Sequence, residues 1–304
     1  MWAAAVALAA ARPALAFGGS LAFFLLLNQA LRQALAPHAE RLLGRPGNPG
    51  RAVEQLGVFA NHATSMVHVV TTTLAVLHML RHEDGLALLH ADPLHNKFAL
   101  NAFLYPFSFG YVVYDTIDLF RTYRSKARSS PPHWMLIHHV ALIAGGLFSC
   151  ALGYSGALGG EAGLAAAAGP SVAQCAAQPL IMLMYTNEFN SLFMLNRVLL
   201  RLLGCRATGT DWARVLAYRA NLVGFWLSFA WGRVWMSGQG VLASSSLYGE
   251  RPVLAVVGTA FGVLFLAMNI GGGVLVWMRE TAEYKGAQQE TPLWASTQAI
   301  PTTP

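Results

Sequence analysis

Residues 252–278 read PVLAVVGTAFGVLFLAMNIGGGVLVWM, an unbroken run without Asp, Glu, Lys or Arg, closed by Arg251 on one side and Arg279 on the other. A helix crosses the hydrocarbon core of a bilayer with about 20 apolar residues, because each residue advances it by ~1.5 Å. This run is longer than that, and the charge-free stretches at 55–80 and 132–160 are too. The pattern extends to the whole chain of 304 residues, 55% hydrophobic and only 11% charged, with a mean hydropathy of +0.45. A soluble domain carries roughly 25% charged residues, so the chain lacks the charge to coat a water-facing globule. The reading is an all-α, polytopic membrane helix bundle.

Apolar runs between charged punctuation predict seven transmembrane helices, at about 13–33, 53–79, 98–120, 132–153, 170–196, 213–236 and 252–278. Gly169 and Pro170 break the long run before the fifth span and supply a helix start. The Ala/Gly-rich piece 156–169 is then a loop or short re-entrant stretch. Of the 20 Lys and Arg residues, clusters follow the first span (Arg32, Arg41, Arg45, Arg51), the third (Arg121, Arg124, Lys126, Arg128) and the fifth (Arg197, Arg201, Arg206, Arg214). Arg279 and Lys285 follow the seventh. Positive loops face the cytosol, which predicts an outside N-terminus and a cytosolic C-terminus. Three parts result: an N-terminal span and basic loop at 1–50, a membrane domain at 51–285, and a polar, disordered tail at 286–304.

A net charge of +6 does not signal nucleic acid, since the cations are scattered in short inter-span clusters rather than gathered on one solvated face. Residues 1–16, MWAAAVALAAARPALA, lack a basic start and read as an uncleaved extension of span 1. Three cysteines make no disulfide framework, although Cys150 and Cys175 fall at exoplasmic ends of consecutive spans and are expected to pair. The ten histidines do not form the boxes of a membrane di-iron site. His78, His82, His90 and His95 fall on the exoplasmic side, and His133, His138 and His139 on the cytosolic side. No metal is expected.

Ionisable groups within spans are costly and mark cavities or sites. Asp118 and Asp115 lie three and six residues before Arg121, and His138 and His139 follow the Pro131–Pro132 start of the next span. Glu188 precedes Arg197 by nine residues and Arg219 follows Arg214 by five. All are expected in one cytosolic-side layer. Asn61, Thr64, Ser65, His68, Thr71 and Thr72 make a polar stripe on one helix face, which must point into the bundle. Arg219, Trp226 and Arg233 repeat every seven residues as a seam, with Arg233 free to snorkel. Asn28 and Gln29 read as interhelical hydrogen bonders, and Gly271–Gly272–Gly273 as a close-packing site. The plainer alternatives are an Asp118–Arg219 pair fixing helix register, and His62 or His68 as hydrogen-bonded interior histidines.

A histidine beside a carboxylate suits general base work, with the carboxylate fixing the tautomer. A neighbouring apolar cavity would hold an acyl chain and a cation would neutralise a phosphate or oxyanion. Acyl transfer to a membrane lipid fits these parts, with His138 or His139 as base, Asp115 or Asp118 orienting it, and Glu188, Asn190, Arg219, His62, His68 and Tyr114 around the substrate. No bound cofactor is expected, and acyl-CoA would serve as donor.

The segments Tyr114-Asp115-Thr116-Ile117-Asp118-Leu119 and Leu136-Ile137-His138-His139-Val140, separated by a basic loop, resemble the core of the TLC domain. That domain is shared by ceramide synthases, translocon-associated membrane proteins and smaller TLC-domain proteins. Residues 188–197, EFNSLFMLNR, are similar to a stretch of the smaller members. The resemblance spans roughly 51–285 and implies a catalytic role for His138 and His139. The chain departs from ceramide synthases in lacking their downstream His-Asp-x-x-Asp motif, where it has only the Ala/Gly-rich stretch. It sits closer to the smaller members, which the resemblance links to phospholipid acyl composition and membrane fluidity. That implies a lipid acyltransferase or, alternatively, a non-enzymatic lipid sensor or cargo-trafficking protein, in the endoplasmic reticulum or plasma membrane, with membrane lipids as partners. The residues specify no oligomeric state.

Overall fold

The computed structural model describes residues 12–43, 49–82, 87, 90, 99–124, 139–140, 185–249 and 252–289. Among them the fold is helical throughout, without strands. The elements are α1 Pro13–Leu35, α2 Ala39–Leu43, α3 Pro49–His82, α4 Ala99–Arg124, α5 Glu188–Leu202, α6 Trp212–Ser228, α7 Met236–Ser245 and α8 Pro252–Gln289. A π-helical segment, Phe229–Trp235, joins α6 to α7. Among the described residues three helical stretches are long and apolar enough to cross a membrane: Leu15–Leu43, Gln55–His82 and Ala255–Ala282. The expected fourth span, the 156–169 loop, Cys150 and Cys175 lie outside the described residues, apart from His139 and Val140.

Local chemistry explains the helix ends. Pro13 stands at the start of α1, where its missing N–H costs nothing. Asp211 caps α6 by accepting from the Arg214 N–H. α5 stops in a Schellman motif: Gly204 adopts φ +83°, its N–H reaches the Arg201 carbonyl, and the Cys205 N–H reaches Leu200. α8 runs past the expected end of its span at Met278 to Gln289.

Side-chain bonds fix the helix directions. Ser20 pairs with the Phe107 carbonyl and Arg32 with Asp118, so α1 and α4 run parallel. Asn61 meets Asp115 and His68 meets Ser108, so α3 runs against α4. Asn190 meets Ser228 and Arg201 meets Tyr218, making α5 and α6 antiparallel. Burial is inverted relative to a water-soluble helix. On α3 the polar residues Asn61, Thr64, Ser65, His68 and Thr72 are buried, while Val67, Val70, Leu74 and Leu77 are exposed; Thr71 of the expected stripe is only half-buried and turns its hydroxyl to the Val67 carbonyl of its own helix. That is the arrangement lipid favours, since polar groups find partners only inside the bundle.

Close approaches occur where side chains are absent. A Cβ on Gly110 would lie 2.7 Å from the Ser20 side chain, which sets the α1–α4 crossing. Of the predicted close-packing triplet only Gly273 packs tightly, against the Phe229 ring. Gly271 and Gly272 face open space, because a helix turns successive residues by about 100° and one crossing partner covers a single face.

Candidate functional site

The antiparallel crossing of α3 and α4 brings the polar stripe against the Tyr114–Asp118 segment. Asp115 is buried and accepts from two sides: Asn61 Nδ2 lies 3.2 Å from its Oδ1, and His139 Nε2 lies 3.1 Å from its Oδ2. The Tyr114 hydroxyl donates to Asn61 Oδ1 at 2.7 Å, so one amide bridges two consecutive residues of α4. The other nitrogen of the same imidazole, Nδ1, lies 2.9 Å from Thr116 Oγ1. Asp115 and Thr116 therefore hold both ring nitrogens of His139 and fix the ring plane. The Thr116 hydroxyl also lies 2.7 Å from the Val112 carbonyl one turn back. The resulting chain, Tyr114–Asn61–Asp115–His139–Thr116, is continuous, and the His139 side chain is only 3% exposed. A carboxylate on one nitrogen of an imidazole and a hydroxyl oxygen on the other fix its orientation, the arrangement a general base needs, while the one Thr116 proton goes to the Val112 carbonyl.

The two carboxylates proposed for this layer do different things. Asp115 faces His139, whereas Asp118 takes Arg32 Nη2 at 2.7 Å. Arg32 is held in turn by Asn28 Oδ1 at 2.7 Å from its Nε. The alternative Asp118–Arg219 pair is overturned. Arg219 sits on the exposed face of α6, where its Nε donates to the Ala207 carbonyl at 2.9 Å, so it stands apart from the His139 layer. The cation at Asp118 comes from α1, one helical turn below Asn28, a spacing that could have flagged it in the sequence.

The seven-residue seam also splits. Arg233 lies inside, donating to Asn269 Oδ1 at 3.0 Å and to Ser191 Oγ at 3.1 Å. Glu188 lies within electrostatic range of Arg233, Asp115 and His139. The π-helical segment accounts for the difference between Arg219 and Arg233. Its wider turns advance each residue through a smaller angle, rotating Arg233 off the line of Arg219 and toward the interior. It also brings Gly232 against the Thr186 carbonyl, where a Cβ would stand 2.6 Å away.

The remaining candidates tie helices together. Asn190 donates to the Phe225 carbonyl at 2.9 Å and to Ser228 Oγ at 3.1 Å. His62 Nδ1 lies 2.8 Å from the Val58 carbonyl of its own helix. His68 is buried, with Nε2 3.0 Å from Ser108 Oγ and its ring stacked on Tyr111 at 4.0 Å. His138 lies outside the described residues. A further cluster, unforeseen in the sequence, joins α5, α6 and α8: Glu280 accepts from Arg197, Arg201 and Tyr218. Both arginines had been counted as loop cations, although their i, i+4 spacing puts them on one helix face.

No curated protein and no solved structure matches the chain. The stretch 188–197 lies beyond the part that a family model matches. That part, residues 58–159, contains Asn61, Tyr114, Asp115, Asp118 and the His138–His139 pair, and over it the chain is similar to the TLC domain.

Proposed function

We propose that this TLC-domain membrane protein acts on the acyl composition of membrane lipids, with His139 as general base and Asp115 as its orienting carboxylate. The bundle crosses the bilayer seven times, with its N-terminus outside and its basic loops cytosolic, in the endoplasmic reticulum or plasma membrane. The observation that supports the chemistry is the Asp115–His139–Thr116 line, at 3.1 and 2.9 Å. With Asp115 holding Nε2–H, Nδ1 acts as a base only when the Thr116 hydroxyl, whose one proton goes to the Val112 carbonyl, gives up its place beside it. A lipid hydroxyl or amine taking that place would give its proton to Nδ1 as it attacks the thioester carbonyl of an acyl-CoA. The departing thiolate would recover the proton from the imidazolium, so the histidine is regenerated and an ester or amide replaces the thioester.

A second reading, lipid binding without turnover in a sensor or trafficking protein, draws support from the same imidazole. Both ring nitrogens are already engaged and the side chain is 3% exposed. Comparative lipidomics of cells expressing wild type, His139→Ala and Asp115→Asn separates the two. Turnover predicts a shifted phospholipid acyl profile that both variants abolish at normal protein level, and losing an orienting carboxylate or base costs about 10²–10⁴ in rate. An unchanged profile, with intact lipid co-purifying with wild type, would sink the enzymatic reading.

A further inference from the structure

A cavity of about 360 Å³ lies between the parallel helices α1 and α4. Its walls change character along the helix axes. Leu25 lines the apolar end, Asn28 and Gln29 follow one turn on, and Arg32 and Arg121 stand at the polar end. At about 30 Å³ per water, the space equals roughly a dozen waters, far more than its few polar groups would order. From this geometry we infer that the cavity binds the phosphodiester headgroup of a glycerophospholipid.

The charge count favours an anion. Two guanidinium groups face the cavity against one carboxylate, Asp118. Arg32 is preorganised, with Nη2 on Asp118 and Nε on Asn28, and its side chain remains 40% exposed. Arg121 is exposed, and among the described residues no carboxylate pairs with it. Arginine presents a rigid fork of donors that matches two phosphate oxygens at once. The surroundings favour a lipid over a free phosphate. Leu25 and Ile117 line the cavity itself, and Phe23 and Leu26 on α1 and Phe120 on α4 are 45%, 66% and 44% exposed on the same helix segments, apolar surface suited to acyl chains. The cavity also abuts the His139 layer, since Tyr114 lines its wall and donates to Asn61, the partner of Asp115.

The inference rests on the chain being a lipid-handling membrane protein, and binding is measured with no acyl donor present, so that it stands or falls apart from catalysis. The full chain is purified, stripped of lipid in detergent, and titrated by native mass spectrometry with phosphatidylglycerol, with diacylglycerol of the same acyl chains, and with coenzyme A. Wild type and His139→Ala bind phosphatidylglycerol equally. Arg121→Gln, at an exposed position that does not threaten the fold, binds it about tenfold more weakly, as expected for one charged hydrogen-bonding group. Leu25→Trp, which fills the apolar end, reduces binding as well, and diacylglycerol does not bind. Equal binding by wild type and Arg121→Gln, or diacylglycerol binding as well as phosphatidylglycerol, would overturn the inference. Displacement of the lipid by coenzyme A in an Arg121-dependent manner would instead assign the cavity to a nucleotide phosphate and overturn the choice of lipid. If wild type and Arg121→Gln differ as expected while the His139→Ala lipidome is unchanged, the cavity stands and the acyl-transfer reading falls.

Discussion

Glu280 offers a sharp test of how this bundle is held together. Its carboxylate accepts from Arg197 Nη1 at 2.8 Å, from Arg201 Nη2 on the same oxygen, and from the Tyr218 hydroxyl at 3.0 Å. Arg201 Nε donates to that hydroxyl at 2.7 Å, closing a ring across α5, α6 and α8. The three charged side chains are 8%, 14% and 10% exposed, too buried for water to replace the carboxylate. Glu280→Ala leaves two guanidinium groups buried around a void, and breaking a buried pair costs about 3–5 kcal/mol. At roughly 2 °C per kcal/mol for a chain of this size, the melting temperature in detergent should fall by about 6–10 °C. Glu280→Gln keeps one accepting oxygen and should fall between. Tyr218→Phe removes a donor to the carboxylate and the acceptor of Arg201 Nε, both bonds to charged groups, and should cost about 1.5–3 kcal/mol. The triple replacement of Arg197, Arg201 and Glu280 by Met should melt near wild type, because apolar side chains of similar volume avoid the desolvation that the charges suffer. A Glu280→Ala melt within about 1 kcal/mol of wild type would refute the reasoning, since it would mean that the two arginines find water or lipid phosphate without the carboxylate.

Two further outcomes are expected. Gly110→Ala should destabilise by about 1–3 kcal/mol through the clash with Ser20, 2.7 Å from its new Cβ. Gly271→Ala, with no described residue within 4 Å, should be neutral or stabilise by up to ~1 kcal/mol; equal thermal melts for the two variants would contradict the close α1–α4 approach. Arg233→Met and Glu188→Gln should each lower the melting temperature, and the double variant should recover part of the loss, with a coupling of about 1 kcal/mol or more. Strict additivity would show that Glu188 does not depend on Arg233.

Much of the site was legible because lipid makes polarity informative. A helix with Asn61, Thr64, Ser65, His68 and Thr72 on one face has only one workable orientation in a bilayer, and those side chains are buried. The acid and the histidine were likewise marked by their cost inside a span, and Asp115 and His139 meet at 3.1 Å. The choice between Asp115 and Asp118 was not legible. They stand three residues apart on one helix, and only the neighbouring helices decide their partners: α3 and His139 for one, α1 for the other.

The arginines show where linear reading loses hold. Counting cations by distance from the nearest apolar run treats Arg32, Arg197 and Arg201 as topology signals, yet each is drawn to a carboxylate on another helix, Asp118 or Glu280. Whether a cation near a span end faces water or the bundle depends on which carboxylate its flexible stem can reach, a tertiary property. Arg219 and Arg233 make the same point through backbone shape. Fourteen residues apart, they would share a face on an unbroken α-helix, whose fourteen steps of ~100° nearly complete four turns. The π-helical segment at Phe229–Trp235 breaks that phase, leaving Arg219 exposed on the Ala207 carbonyl and sending Arg233 to Asn269 and Ser191 beside Glu188. The bulge therefore does chemical work. It delivers Arg233 to the interior, where the guanidinium bonds Asn269 and Ser191 within electrostatic range of Glu188.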